Sequence, residues 1–309
     1  MKSTSIIISI LLTLIGCETV ITIDLPEEDT KFSVTSILDP DSTFSAYLYG
    51  SSFILDELNY DQIKNATITI KNTSDGEINS LEYSNLLEKY VSTHKPELGE
   101  EYELTVAGEG IETATSTIIL PNNDIIISDL DYNLEKTEYI WGDMAEHNIS
   151  FNLKDSPEKN YYEIVVLSKN EIYSNDTLIS VNTEELYVNT NDGVLFEEYA
   201  DLLIIDDELF NNQTKKISFY FSPSWNNANC FRASEVLPNC YIVKTDILNV
   251  RAINAEYFKF YQTLGLQSVL SGDPSAEPVN VYSNIENGFG VFAGYKNHYF
   301  SDSTGYRVL

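Results

Sequence analysis

The side chains in this sequence that could do chemistry are three cysteines, three histidines and a large excess of carboxylates. Cys17 closes the run Leu14-Ile15-Gly16-Cys17, after a start with one positive charge at Lys2 and a nearly unbroken apolar stretch from Ile6 to Leu14. A basic start, a short apolar core and a small residue before the break have the form of a secretory signal. A membrane span would need about 20 apolar residues. The four closing residues add the pattern of a bacterial lipoprotein signal. In that chemistry the Cys17 thiol is diacylated, the chain is cut before it, and the new amino group is acylated. Two or more acyl chains anchor a protein stably where one is marginal. Residues 1–16 are therefore read as a lipoprotein signal peptide, and the lipid bilayer as a partner through acylated Cys17.

With Cys17 committed to lipid, Cys230 and Cys240 are left over, and two such cysteines in an exported protein are usually paired. The segment between them, Phe231 to Asn239, lacks periodicity and contains Pro238, so it reads as a loop. Closing a loop of that size contributes roughly 2 to 3 kcal/mol in the chain-entropy model. A metal or nucleophilic role would need histidine or carboxylate neighbours, and His94, His147 and His298 are far from these cysteines and from one another in sequence. Asp206-Asp207-Glu208 and Glu27-Glu28-Asp29 lack the ligand alternation and glycine of a calcium loop, and they read as solvated loop charge.

No Gly-x-Ser-x-Gly, His-Glu-x-x-His, phosphate-binding loop or Cys-x-x-Cys pair occurs. No catalytic residue, metal site or cofactor is expected. Hydrolysis by paired carboxylates stays open as an alternative, because sequence does not show which acids face each other across a cleft. Tyrosine is abundant, at 21 residues. Its rings could stack on sugars, yet tyrosine is also favoured on half-buried strand faces. The single ligand-binding candidate is Trp225, in the loop Ser222-Pro223-Ser224-Trp225-Asn226-Asn227 beside the cysteine pair.

The elements that must position these residues read almost entirely as strands. Alternation marks Val20 to Leu25, Lys31 to Leu38, Phe44 to Tyr49, Ala66 to Lys71, Tyr102 to Val106 and Thr113 to Leu120. Asp-Gly at 75–76 is a strong hairpin signal. Leu81 to Tyr90 can be read as a short helix, a reading that the pattern does not settle. About seven short strands in some 105 residues suggest an immunoglobulin-like β-sandwich over residues 17–120. After Pro121 the pattern restarts in Asp124 to Leu130, Ile149 to Leu153, Tyr161 to Leu167, Lys216 to Phe221 and Tyr241 to Ile253. One stretch breaks the two-residue period: Asn254 can cap a helix from Ala255 to about Leu270, with Tyr257, Tyr261 and Leu264 at helical spacing. Residues 121–309 are thus expected to form a larger β-rich domain carrying one packed helix near 255–270, and the fold class is mainly β.

The formal charge of −30 excludes a nucleic-acid partner, since phosphate binding needs clustered Lys and Arg. It keeps the chain soluble and mildly favours cationic partners or divalent ions, with a solvated acidic surface and no specific cation as the first reading.

The C-terminal stretch from Glu277-Pro278-Val279 through Asn287-Gly288-Phe289-Gly290-Val291-Phe292-Ala293-Gly294-Tyr295 reads as a strand, an Asn-Gly turn and a glycine-spaced strand returning beside it. Together with Cys17 followed by Ile23-Asp24-Leu25-Pro26-Glu27, and the helix around Glu256-Tyr257-Phe258, it resembles a Bacteroidota lipoprotein family called domain of unknown function 4249. The resemblance spans most of the mature chain. It implies an outer-membrane lipoprotein encoded beside a TonB-dependent transporter, with no ligand or catalytic residue to carry over. The expected function is therefore a lipid-anchored accessory or ligand-binding lipoprotein working with such a transporter in nutrient uptake. The alternative is a structural or adhesive envelope protein. The cell surface is the expected face, with the periplasmic face open because Glu18-Thr19-Val20-Ile21 lacks the acidic cluster associated with surface export in this phylum.

Overall fold

The computed structural model describes residues 29–52, 62–139, 142–190, 192, 202–221, 231–232, 235–270, 276–277, 279–300 and 306–308. Among them the chain is mainly β with one helix. The first part supplies β1 (Phe32–Leu38), β2 (Ser45–Gly50), β3 (Thr67–Asn72), β4 (Ile78–Ser84), β5 (Lys89–Val91), β6 (Glu101–Gly108) and β7 (Ile111–Ile119). There follow β8 (Ile126–Tyr139), β9 (Gly142–Lys154), β10 (Tyr161–Ser174), β11 (Thr177–Leu186), β12 (Leu203–Asp206), β13 (Thr214–Phe221), β14 (Phe231–Arg232), β15 (Glu235–Val236) and β16 (Cys240–Ile253). Helix α1 (Ala255–Leu270) leads to β17 (Gly288–Phe300) and β18 (Tyr306–Val308).

The stretch open to a helical reading, Leu81 to Tyr90, is a hairpin: Tyr83 lies opposite Tyr90 and Ser84 opposite Lys89. On β4 the buried positions Asn79 and Leu81 alternate with exposed ones, and on β5 Tyr90 is the buried residue between two half-exposed neighbours. The strand expected at Val20 to Leu25 lies outside the described residues.

One large mixed sheet runs β11-β10-β16-β17-β1-β2-β5-β4-β3-β6-β7, with β12 also on β10 and β18 on β16. β1 and β17 are parallel, with Val34 opposite Gly290. The first-part strands alternate buried and half-exposed positions, as sheets with one wet face do. They roll up until β7 returns to the C-terminal segment, where Thr115 and Glu286 exchange backbone bonds of 3.2 and 2.8 Å. Phe32, Val34, Ile68, Ile70, Leu104 and Phe292 fill the roll. Phe292 belongs to β17, so the end of the chain completes the core at its beginning.

The C-terminal hairpin expected from Val279 to Tyr295 does not form. Along Gly288–Gly294 one edge of β17 is taken by β1, while β16 pairs only with Tyr295–Phe300, and residues 279–285 do not add as a strand on the other edge. Asn284 instead makes a side-chain clasp to Phe292, with its Nδ2 donating to the carbonyl at 2.7 Å and its Oδ1 accepting from the amide at 2.9 Å.

A second, three-stranded sheet of β13, β9 and β8 packs on β10 and β16. Ile149, Phe151, Ile217 and Phe219 meet Ile164, Val166, Leu248 and Val250 there. Helix α1 covers the opposite face with Tyr257 and Phe258, against Ile253 and Val291. Coverage on both faces explains the unbroken buried runs Tyr162 to Val166 and Leu248 to Ile253.

Candidate functional site

Of the residues that the sequence marks for chemistry, Cys17, Trp225 and Cys230 lie outside the described residues. Cys240 opens β16 and is disulfide-bonded. The turn before it is tied to β10, where Ser174 Oγ donates to the Pro238 carbonyl at 2.8 Å. Asp206 and Asp207 are not solvated loop charge. Lys159 Nζ stands 2.9 Å from both carboxylates, and Asp207, fully buried, also accepts from Asn160 N at 2.6 Å. These acids pin β12 to the start of β10. Among the described residues no group of three His, Cys, Asp or Glu side chains is placed to hold a metal ion.

Chemistry-bearing side chains converge at two places that the sequence did not reveal. The first lies under α1. β-sheet register sets Glu163 of β10 opposite Arg251 of β16, on the face that the helix covers. Arg251 Nη1 reaches Glu163 Oε2 at 3.0 Å, and Nη2 reaches Glu185 Oε1 at 2.6 Å. The guanidinium lies 4.5 Å from the Tyr295 ring centroid, a cation–π stack. Tyr257 Oη donates to Glu163 Oε1 at 3.0 Å. Burial pushes the Glu163 carboxyl up, against the charge and hydrogen bond of Arg251. Burial also opposes the charge on Arg251, but Glu163, Tyr295 and Glu185 outweigh it and hold its pKa above the ordinary value. Arg251 Nε and Asn249 Nδ2 both donate to Asn297 Oδ1, at 3.3 and 2.9 Å. Asn297 Nδ2 continues the chain to Asp39 and Asp41, in the turn after β1. The network clamps the helix, both parts of the large sheet and that turn together.

The second place lies between the two sheets. His147 of β9 is 5% exposed and Asp246 of β16 is 8% exposed. Tyr132 Oη sits 2.8 Å from His147 Nδ1 and donates to Asp246 Oδ2 at 3.2 Å. Phe221 stacks on the imidazole, with centroids 5.0 Å apart. Strand alternation sets Ser168, Asn170 and Lys244, all buried, on the same inward faces as Asp246. Asp246 Oδ1 and Asn170 Oδ1 are buried without a hydrogen-bond partner among the described residues. Burial lowers the His147 pKa, while the Asp246 charge opposes it, so the ring is held toward its neutral form. The trio can share a proton among a phenol, an imidazole and a carboxylate, in a setting closed off by the two sheets. Extending the alternation Ile149, Phe151, Leu153 back by two residues would have placed His147 inward.

Three comparisons bear on this chain. The model of the family described as "Domain of unknown function (DUF4249)" matches residues 18–300. No curated protein matches. Among solved structures, a "Biofilm associated protein - B domain" is similar at 10% identity over 91% of this chain and 89% of that one, with a TM-score of 0.17. A likeness of that size carries no argument.

Proposed function

The chain belongs to the DUF4249 family, and from that premise we propose that it is a lipid-anchored outer-membrane lipoprotein of a Bacteroidota cell, working as an accessory or ligand-binding partner of a TonB-dependent transporter. The observation that carries this reading is the coincidence at Cys17. The lipoprotein signal pattern ends at Leu14-Ile15-Gly16-Cys17, and the family match begins at the next residue. The formal charge of −30 is in keeping with a body that stays largely in water while its lipid holds it to the membrane. The clusters around Arg251 and His147 face inward and hold the fold together, which is in keeping with a scaffolding role. Cys230 is the proposed partner of Cys240, which peptide mapping without reduction would test.

The decisive experiment is a mild-detergent pull-down of the native lipoprotein from its own membranes, with mass spectrometry of what comes along. A stoichiometric TonB-dependent barrel is the expected result. Repeated recovery of the lipoprotein alone would count against the transport reading. The structural or adhesive alternative gains if deletion alters attachment while uptake stays intact.

A further inference from the structure

The end of the first part at which the chain enters the fold carries two exposed leucines. β1 begins at Phe32, which lies opposite Gly50, the last residue of β2. β5 flanks the other side of β2, with Val91 opposite Ser45 and Tyr90 opposite Ala46. The turn that precedes β5, residues 85–88, therefore projects toward the same Gly50 end. Gln62 fixes that placement, because it bridges to Tyr49 and its Nε2 donates to the Glu88 carbonyl. Because Gln62 and Ile63 line the edge of β2 there, about three strand spacings of 4.8 Å, roughly 15 Å, separate β1 from the turn. In it Leu86 is 90% exposed and Leu87 53%.

The turn is held in shape. Leu87 N donates to Ser84 Oγ at 3.3 Å, and Tyr83 and Tyr90 pack edge to face beneath it. Glu88 adopts a left-handed φ of 51°, which a non-glycine residue takes up only where its surroundings impose it. The leucines are thus presented outward by a built element.

We propose that this turn is a second membrane contact, with Leu86 and Leu87 entering the bilayer that holds the acylated Cys17. The inference rests on lipidation of Cys17. Residues 18–31 reach at most about 50 Å when fully extended, and they join the fold at the leucine-bearing end, so the tether keeps that end within reach of the lipid. Lys64 and Lys89 lie beside the turn with their ammonium groups over the rings of Tyr83 and Tyr47, and Lys31, at the start of β1, lies over Phe289. In so acidic a chain these cations ease the approach to lipid phosphates, while their stems cover apolar surface. Two leucines attract weakly by themselves. The tether makes their insertion intramolecular, at an effective concentration that a free domain would lack.

The test uses the acylated full chain in phosphatidylcholine and phosphatidylglycerol vesicles with brominated acyl chains. A fluorophore is placed through Leu86→Cys or, as reference, through Leu209→Cys, a site 72% exposed in the second part. Quenching several-fold stronger at position 86 than at position 209 is expected. Adding Leu87→Glu to the Leu86→Cys chain should reduce the quenching at position 86 toward that at 209. Equal quenching at the two sites, in protein whose mass shows acyl chains on Cys17, would overturn the proposal and leave the turn as a contact for protein instead. A mass without acyl chains would remove the anchor itself, and the proposal with it.

Discussion

Asn254 and Gly294 are joined by two hydrogen bonds, one in each direction. Asn254 N donates to the Gly294 carbonyl at 3.2 Å, and Gly294 N donates to Asn254 Oδ1 at 3.3 Å. The same Oδ1 accepts from Tyr257 N at 3.1 Å. One side-chain oxygen therefore caps α1 and fixes the helix to β17, the strand that serves both parts of the molecule.

That oxygen is what the position needs, because the Asn254 Nδ2 is buried without a partner among the described residues. Asn254→Ala should cost about 1 to 3 kcal/mol, the combined loss of a cap and a buried acceptor. Asn254→Asp keeps the acceptor, removes the orphaned donor and puts negative charge at a helix N-terminus, so it should be at least as stable as the parent. Urea midpoints decide between these outcomes. An equal loss in both variants would show that the oxygen is not what matters.

Gly290 makes a sharper case. Its φ is +102°, and a Cβ added there would lie 1.9 Å from the Val34 carbonyl oxygen, within the parallel pairing of β1 with β17. Gly290→Ala is expected to lose about 3 kcal/mol or more, combining backbone strain with a clash that no side-chain motion relieves. Gly76 also has positive φ, at +80°, but nothing lies within 4 Å of its added Cβ. Gly76→Ala should cost on the order of 1 kcal/mol from strain alone. Thermal unfolding of the pair separates clash from strain, and similar losses would refute the argument from contact.

These residues also show where the sequence was legible. Asn254 marked the start of α1, and the aromatic spacing carried it to Leu270, the observed end. The alternation in Tyr241 to Ile253 located β16 to within a residue. Local periodicity reports local structure, however, and the pairing of Phe32 with Gly288 spans nearly the whole chain. A parallel pair has no turn sequence to announce it, so β17 was assigned to a hairpin with the residues before it. The candidate sites were hidden for the same reason. Glu163 and Arg251 became neighbours through strand register, and His147 met Asp246 only when one sheet packed on another. Each reads by itself as an ordinary polar residue in a strand.

The Glu163–Arg251 pair should behave as a buried ion pair does when one partner is removed. Glu163→Gln leaves the guanidinium with the more exposed Glu185 and should destabilise the fold by about 3 kcal/mol. Replacing both residues, as Glu163→Leu with Arg251→Met, should recover part of that loss, because no buried charge is then orphaned. Urea unfolding of the single and double variants gives the coupling. Strictly additive losses would show that the two groups do not act as a pair.

The pH dependence follows from the histidines. Burial lowers the pKa of His147 against the pull of Asp246, and burial followed by the Lys296 charge lowers that of His298. Below about pH 6.5 the unfolded chain therefore takes up protons that the folded chain refuses. The contribution of these two histidines falls as the pH drops from 6.5 toward the lowered folded values and levels off above 6.5. His147→Phe removes one of the two contributions while leaving Tyr132 its bond to Asp246. Its stability between pH 7.5 and 5.5 should decline with a visibly shallower slope than that of the parent chain. Urea midpoints measured across that range give both slopes. If they coincide, His147 takes up its proton at the same pH in the folded and unfolded chain, and a steeper decline in the variant would mean a raised folded pKa and an ion pair with Asp246.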